Sequence, residues 1–138
     1  MASEKRFEQK VRAWLESVGI AAAGTPENEM PDEPRGWYFK VWGGGYQKSG
    51  IPDLIINVNG FFVAVELKGE TGRASDLQKK NVAMINLSGG LGMILYPQGF
   101  ERFKYIVKGA IDCKCHILAL NALVAAHSNI SCDISTEY

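Results

Sequence analysis

The chain is poor in the features that most quickly assign a protein. It has three cysteines, Cys113, Cys115 and Cys132, all towards the C-terminal end. An odd number confined to one end describes no disulfide framework, which excludes a stapled secreted scaffold and fits a reducing compartment. No apolar run approaches the roughly 18–20 residues that cross a bilayer, so no membrane role is expected. Met1-Ala2-Ser3-Glu4-Lys5-Arg6 leads straight into a charged helical pattern instead of the apolar stretch of a secretory signal, and a cytoplasmic location is expected. Net charge is also absent, since fifteen Lys and Arg balance fifteen Asp and Glu. Total charge therefore argues neither for nor against a polyanionic partner. Cys113-Lys114-Cys115-His116 lacks the two-to-four-residue gap of a structural zinc site and is set aside as one. Internal repeats and low-complexity blocks are missing too.

What is present describes one domain. With 138 residues, 46% of them apolar, the chain can bury a single sizeable core. We read residues 1–111 as that domain and 112–138 as a partly helical tail containing the apolar stretch Ile117–Ala126. The charge is unevenly spread. Residues 36–108 hold nine Lys and Arg against five Asp and Glu, an excess of +4. This middle segment would read as distinctly basic if two of its acids were neutralised by a metal.

Phe7, Val11, Trp14, Leu15 and Val18 recur at helical spacing over residues 3–18, with Ser3 as a candidate cap and Gly19 as a stop. Residues 21–35, with three prolines, read as a connecting loop. Trp37–Trp42 has strand composition. Residues 75–87 and 98–111 read as helices, with a short strand, Gly92–Tyr96, between them. A strand, helix, strand order there implies a parallel crossover.

The informative stretch is SGIPDLIINVNGFFVAVELKGE, residues 49–70. Asn59-Gly60 is a strong hairpin signal, because both central residues of a type I′ turn need positive φ. A two-residue loop pairs Val58 with Phe61, and counting back brings Asp53 opposite Glu66. Leu54, Ile56, Val58, Phe61, Val63, Val65 and Leu67 then share an apolar face. Asp53, Ile55, Asn57, Phe62, Ala64, Glu66 and Lys68 share the other. Two carboxylates directly opposed across a sheet repel, and on a partly apolar face that repulsion requires compensation. A Mg²⁺ or Mn²⁺ ion between Asp53 and Glu66 would supply it. Lys68, two residues beyond Glu66, could orient or deprotonate an attacking water and stabilise charge on a phosphoryl group. The simpler alternative is a cross-strand salt bridge between Lys68 and one of the carboxylates.

Gly50-Ile51-Pro52-Asp53, followed after the hairpin by Glu66-Leu67-Lys68, resembles the PD-(D/E)xK motif of the restriction-endonuclease-like nucleases. With residues 40–68 taken together and Gln78 on the following helix, residues 3–108 resemble the small stand-alone VRR-NUC domains often encoded by phages and bacteria. The resemblance implies an α/β fold with an αβββαβ core and a mixed four-stranded sheet flanked by helices. It implies a Mg²⁺- or Mn²⁺-dependent deoxyribonuclease, with a bacterial cell or phage-infected host as its setting. Because stand-alone members resemble Holliday-junction resolvases, it further implies branched DNA as substrate and a homodimer as the working form.

Residue by residue, the resemblance makes Asp53, Glu66 and the backbone carbonyl of Leu67 metal ligands and Lys68 the catalytic lysine. Gln78 matches the family's glutamine beside that lysine, although Ser75-x-x-Gln78 is equally a helix capping box. Glu8 matches an acid contributed by the first helix, although Glu8 and Arg12 also form an ordinary i,i+4 pair. Lys40, Gly44, Gly45, Gln47, Lys48 and Lys79 are candidate nucleic-acid contacts, the loop members among them being equally readable as a solvated surface loop. The alternative to a nuclease is a non-catalytic nucleic-acid-binding module of the same fold. A purely structural protein gives no reason for Asp53 opposite Glu66.

Overall fold

The computed structural model describes residues 2–43 and 49–114, together with 122, 123 and 125. Helix α1 (Ala2–Ser17) begins before Ser3, which lies inside its first turn and not at its cap. Its buried stripe is Phe7, Val11 and Leu15, four residues apart on one face. Gly19 then turns the chain at a φ of +87°. Strands β1 (Ile20–Ala22), β2 (Gly36–Lys40), β3 (Leu54–Val58) and β4 (Phe61–Leu67) follow. Helix α2 (Asp76–Leu87), strand β5 (Leu91–Leu95) and helix α3 (Phe100–Asp112) complete the order.

The five strands form one mixed sheet in the order β1-β2-β3-β4-β5. The outer pairs are parallel and the inner two antiparallel. The expected four-stranded sheet is therefore extended by one strand, and residues 21–35 are not wholly loop. The turn at Gly19 delivers Ile20 to the sheet edge, where Ile20 pairs with Gly36 and is fully buried. Three residues are too few for a periodic signal, so this strand is invisible to pattern reading.

The hairpin follows the sequence. Asn59 and Gly60 adopt φ values of 50° and 92°, and the ladder runs from Val58↔Phe61 to Leu54↔Val65. Leu54, Ile56, Val58, Val63, Val65 and Leu67 are buried on one face, packed with α1 and with Phe103 and Val107 of α3. Helix α2 lies on the opposite face over β4 and β5. Its Asn86 side chain donates to the Gly92 carbonyl (3.0 Å) and accepts from the Gly92 N–H (2.8 Å).

Asn59 has a second task. Its side-chain amide donates to the carbonyls of Ala110 (3.1 Å), Ile111 (3.2 Å) and Cys113, and Arg35 Nη2 donates to Ile111 (2.6 Å). These contacts satisfy carbonyls that the end of α3 leaves without helical partners. Asn59→Gly keeps the turn and loses the cap, so it is expected to destabilise by about 1–2 kcal/mol. Asn59→Ala adds the strain of positive φ and should cost about 1 kcal/mol more, both read by urea unfolding.

The tail is described only in part. Cys113 is a free, partly exposed thiol, whereas Cys115, His116 and Cys132 and most of the apolar stretch 117–126 lie outside the described residues. Among the described residues no helix is long and apolar enough to cross a membrane.

Candidate functional site

Asp53 sits one residue before β3. Its backbone carbonyl accepts from the Val41 N–H (2.7 Å), and its side-chain Oδ2 accepts from the Leu67 N–H (2.8 Å). Those bonds tie the Asp53 carboxylate across to the Glu66-Leu67-Lys68 strand end. The Lys68 N–H in turn donates to the Leu95 carbonyl (3.0 Å), continuing the β4–β5 ladder one residue past Leu67. The strand end carrying the charged residues is thus held on both sides by backbone bonds.

Among the described residues Glu66 is the one charged side chain that is buried, with 3% of its surface exposed. Its two oxygens differ sharply. Oε1 lies 3.4 Å from Lys68 Nζ and accepts a hydrogen bond from Gln78 Nε2. Oε2 is buried with no hydrogen-bond partner. Burial and the neighbouring charge of Asp53 push the Glu66 carboxyl up to about 7, against the lowering pull of Lys68. Asp53 is raised in the same direction, first by burial and then, less than its bond from Leu67 lowers it, by the charge of Glu4. Lone buried carboxylate oxygens cost about 1–3 kcal/mol. A hard divalent cation bound by Asp53 and the open oxygen of Glu66 would remove that penalty, so the donor set fits the expected metal. Leu67 follows Glu66 directly in sequence, and its carbonyl is the backbone ligand that the expected set would add.

Gln78 reconciles its two readings. Ser75 Oγ accepts from the Gln78 N–H (3.2 Å), while Gln78 Oε1 accepts from the Ser75 N–H (2.8 Å). This capping box orients the side-chain amide, leaving its NH₂ end to donate to Glu66. The cap and the site contact are one geometry.

Glu8 is engaged elsewhere. Its Oε1 lies 2.6 Å from Lys40 Nζ and 3.6 Å from Arg12 Nη1. Lys40 also stands over the Trp42 ring at 4.4 Å. Two candidates, an acid and a phosphate contact, therefore neutralise each other. The first-helix acid that acts most strongly on the carboxylate pair is Glu4, which raises Asp53 more than Glu8 does and also raises Glu66. The start of α1 approaches the site closely, for a side chain on Gly69 would meet Ser3 Oγ at 2.7 Å. Sequence reading passed over Glu4, although it lies one helical turn before Glu8 and so on the same face.

Lys79 is exposed in the first turn of α2. Gly44, Gly45, Gln47 and Lys48 lie outside the described residues. Among the described residues no cluster of three or more His, Cys, Asp or Glu is assembled for a metal, so the set is two carboxylates and a carbonyl. Sites that leave coordination positions for substrate phosphate are commonly of this size. No family model matches the chain, and no curated protein or solved structure was found similar to it.

Proposed function

We propose that the protein is a Mg²⁺- or Mn²⁺-dependent deoxyribonuclease with a restriction-endonuclease-like core, a member of the VRR-NUC group acting on branched DNA. The observation that carries this reading is the buried Glu66, close enough to Asp53 to feel its charge, with one oxygen held by Lys68 and Gln78 and the other unpartnered. A purely structural salt bridge explains Lys68 but not the open oxygen.

Asp53, Glu66 and the Leu67 carbonyl would hold the cation, which supplies a Lewis acid for water and phosphate. The chain's own groups do the rest. Gln78 and Lys68 fix the Glu66 carboxylate so that Oε2 stays turned away from both. The Lys68 ammonium, kept in place by Glu66, is the positive group available to the charge that develops as water bonds to phosphorus and the bridging P–O bond breaks. A homodimer is the proposed working form, since a two-fold pair of sites suits the symmetric strands of a junction.

The test is cleavage of junction, flap and linear DNA by the wild-type protein with Mg²⁺ or Mn²⁺. Absence of metal-dependent cleavage on all three, with DNA binding retained, would replace this reading with that of a binding module. Metal occupancy is read separately. Mn²⁺ at a hundred times its dissociation constant should stabilise the wild type by about 2.7 kcal/mol, and Asp53→Asn should lose that gain in a thermal-shift titration.

A further inference from the structure

Helix α2 is attached to the sheet without a buried side chain of its own. None of its residues is buried, and Leu77, Met84 and Leu87 are exposed. Side-chain amides do much of the fixing. Towards the C-terminal end, Asn86 both donates to and accepts from Gly92, against which Ile85 lies closely. Towards the N-terminal end, the partners are the two segments that carry the carboxylates. Gln78 donates to Glu66. Asn81 Nδ2 donates at 2.7 Å to the carbonyl of Gly50, at the head of the Gly50-Ile51-Pro52-Asp53 stretch. Gln78 and Asn81 are three residues apart, about 4.5 Å along the axis and on one side of the helix.

The contact at Gly50 is built into the backbone. Gly50 has a φ of +80°, and a Cβ there would meet Leu77 Cγ at 2.6 Å, so only glycine lets the chain lie this close to α2. From Gly50 to Asp53 the chain has little slack. Pro52 is buried with its φ fixed by the ring, and it restricts Ile51 before it. We infer that Asn81 is a positioning residue of the proposed metal site, holding the segment that leads to Asp53 at a set separation from Glu66. The inference rests on the metal-dependent nuclease reading and adds to it a residue outside the ligand set. One helix then places both carboxylates, Glu66 through Gln78 and Asp53 through Asn81. The bond from the Val41 N–H holds Asp53 from the sheet, and Asn81 holds it from the preceding loop. Mg²⁺ demands near-ideal octahedral geometry, so a carboxylate pair free to drift apart binds it poorly.

The experiment compares the full wild-type chain with Asn81→Ala and Asn86→Ala. Alanine is the stronger helix former, so neither change weakens α2 itself. Asn86→Ala removes two bonds from the same helix at the end away from the carboxylates, and so controls for general loosening. Two quantities are read. One is the Mn²⁺ dissociation constant by isothermal titration calorimetry. The other, taken in chelator, is hydrogen exchange of the Leu67 amide, whose N–H donates to Asp53 Oδ2. For Asn81→Ala the expected result is roughly tenfold or greater loss of Mn²⁺ affinity, as for other groups that orient metal ligands, with faster exchange at Leu67. Asn86→Ala should leave both at wild-type values. Unchanged affinity in Asn81→Ala, an equal loss in Asn86→Ala, or a loss with Leu67 exchange unaltered would overturn the positioning role. Failure of the nuclease reading looks different. A wild type that binds Mn²⁺ in an Asn81-dependent way and cuts no DNA keeps the positioning residue and loses the nuclease, whereas one that binds no Mn²⁺ loses both.

Discussion

Lys68→Ala is expected to lower metal-dependent DNA cleavage by about a hundredfold to ten-thousandfold while the protein stays folded. The Lys68 side chain is 13% exposed and its ammonium lies 3.4 Å from Glu66 Oε1, so it is fixed where it stands. Alanine removes the positive group nearest the proposed scissile phosphate. It removes little packing, since the hydrophobic core lies on the other face of the hairpin. Lys68→Arg is not a rescue, because a planar guanidinium does not reproduce a compact ammonium at a site shared with Gln78. Single-turnover cleavage beside circular dichroism checks both statements. Cleavage at the wild-type rate by Lys68→Ala would overturn the catalytic role of this lysine.

The second large effect is on stability. Glu66 titrates at about 7 in the folded protein against an ordinary 4.5, so the folded state holds a proton that the unfolded chain has already released. Its contribution is therefore fully present below about 4.5 and is lost as pH rises towards about 7. Across that window the metal-free protein, kept in chelator, should lose about 3 kcal/mol of unfolding free energy. Asp53, raised in the same sense, steepens the loss. Glu66→Gln removes most of the slope, because an amide at this position carries no charge to bury. Mn²⁺ added to the wild type at alkaline pH should restore the stability lost there, and should do nothing for Glu66→Gln. Urea unfolding at a series of pH values reads all three. A slope unchanged by Glu66→Gln would assign the titration to another group and remove the case for Glu66 as the strained ligand.

Much of this was readable in advance for a specific reason. Register in a two-residue hairpin is set by the turn, and Asn59-Gly60 admits one turn family. From that alone came the split of faces, the approach of Asp53 to the Glu66 end of β4, and the placement of Lys68 beside Glu66. The helices followed from apolar spacing that needs no knowledge of partners, as with Phe7, Val11 and Leu15. Reading failed where the deciding contact joins segments distant in the chain. Ile20–Ala22 is a strand only because Gly36–Tyr38 lies beside it. Glu8 looked like a site acid and is held by Lys40, thirty-two residues away. Glu4 exerts the stronger effect because the start of α1 approaches Gly69, a meeting no local pattern announces.

The sequence by itself determined the hairpin, its register and therefore which charged residues share a face, since these rest on backbone sterics and period-two geometry. The tertiary structure alone decided how those charges are treated. The packing of α2 on the sheet buries Glu66 and brings Gln78 to one of its oxygens, while the other is left without a partner. Burial is a property of what surrounds a residue, and it turns a carboxylate that would ionise readily in water into one that holds its proton until a cation or rising pH takes it away.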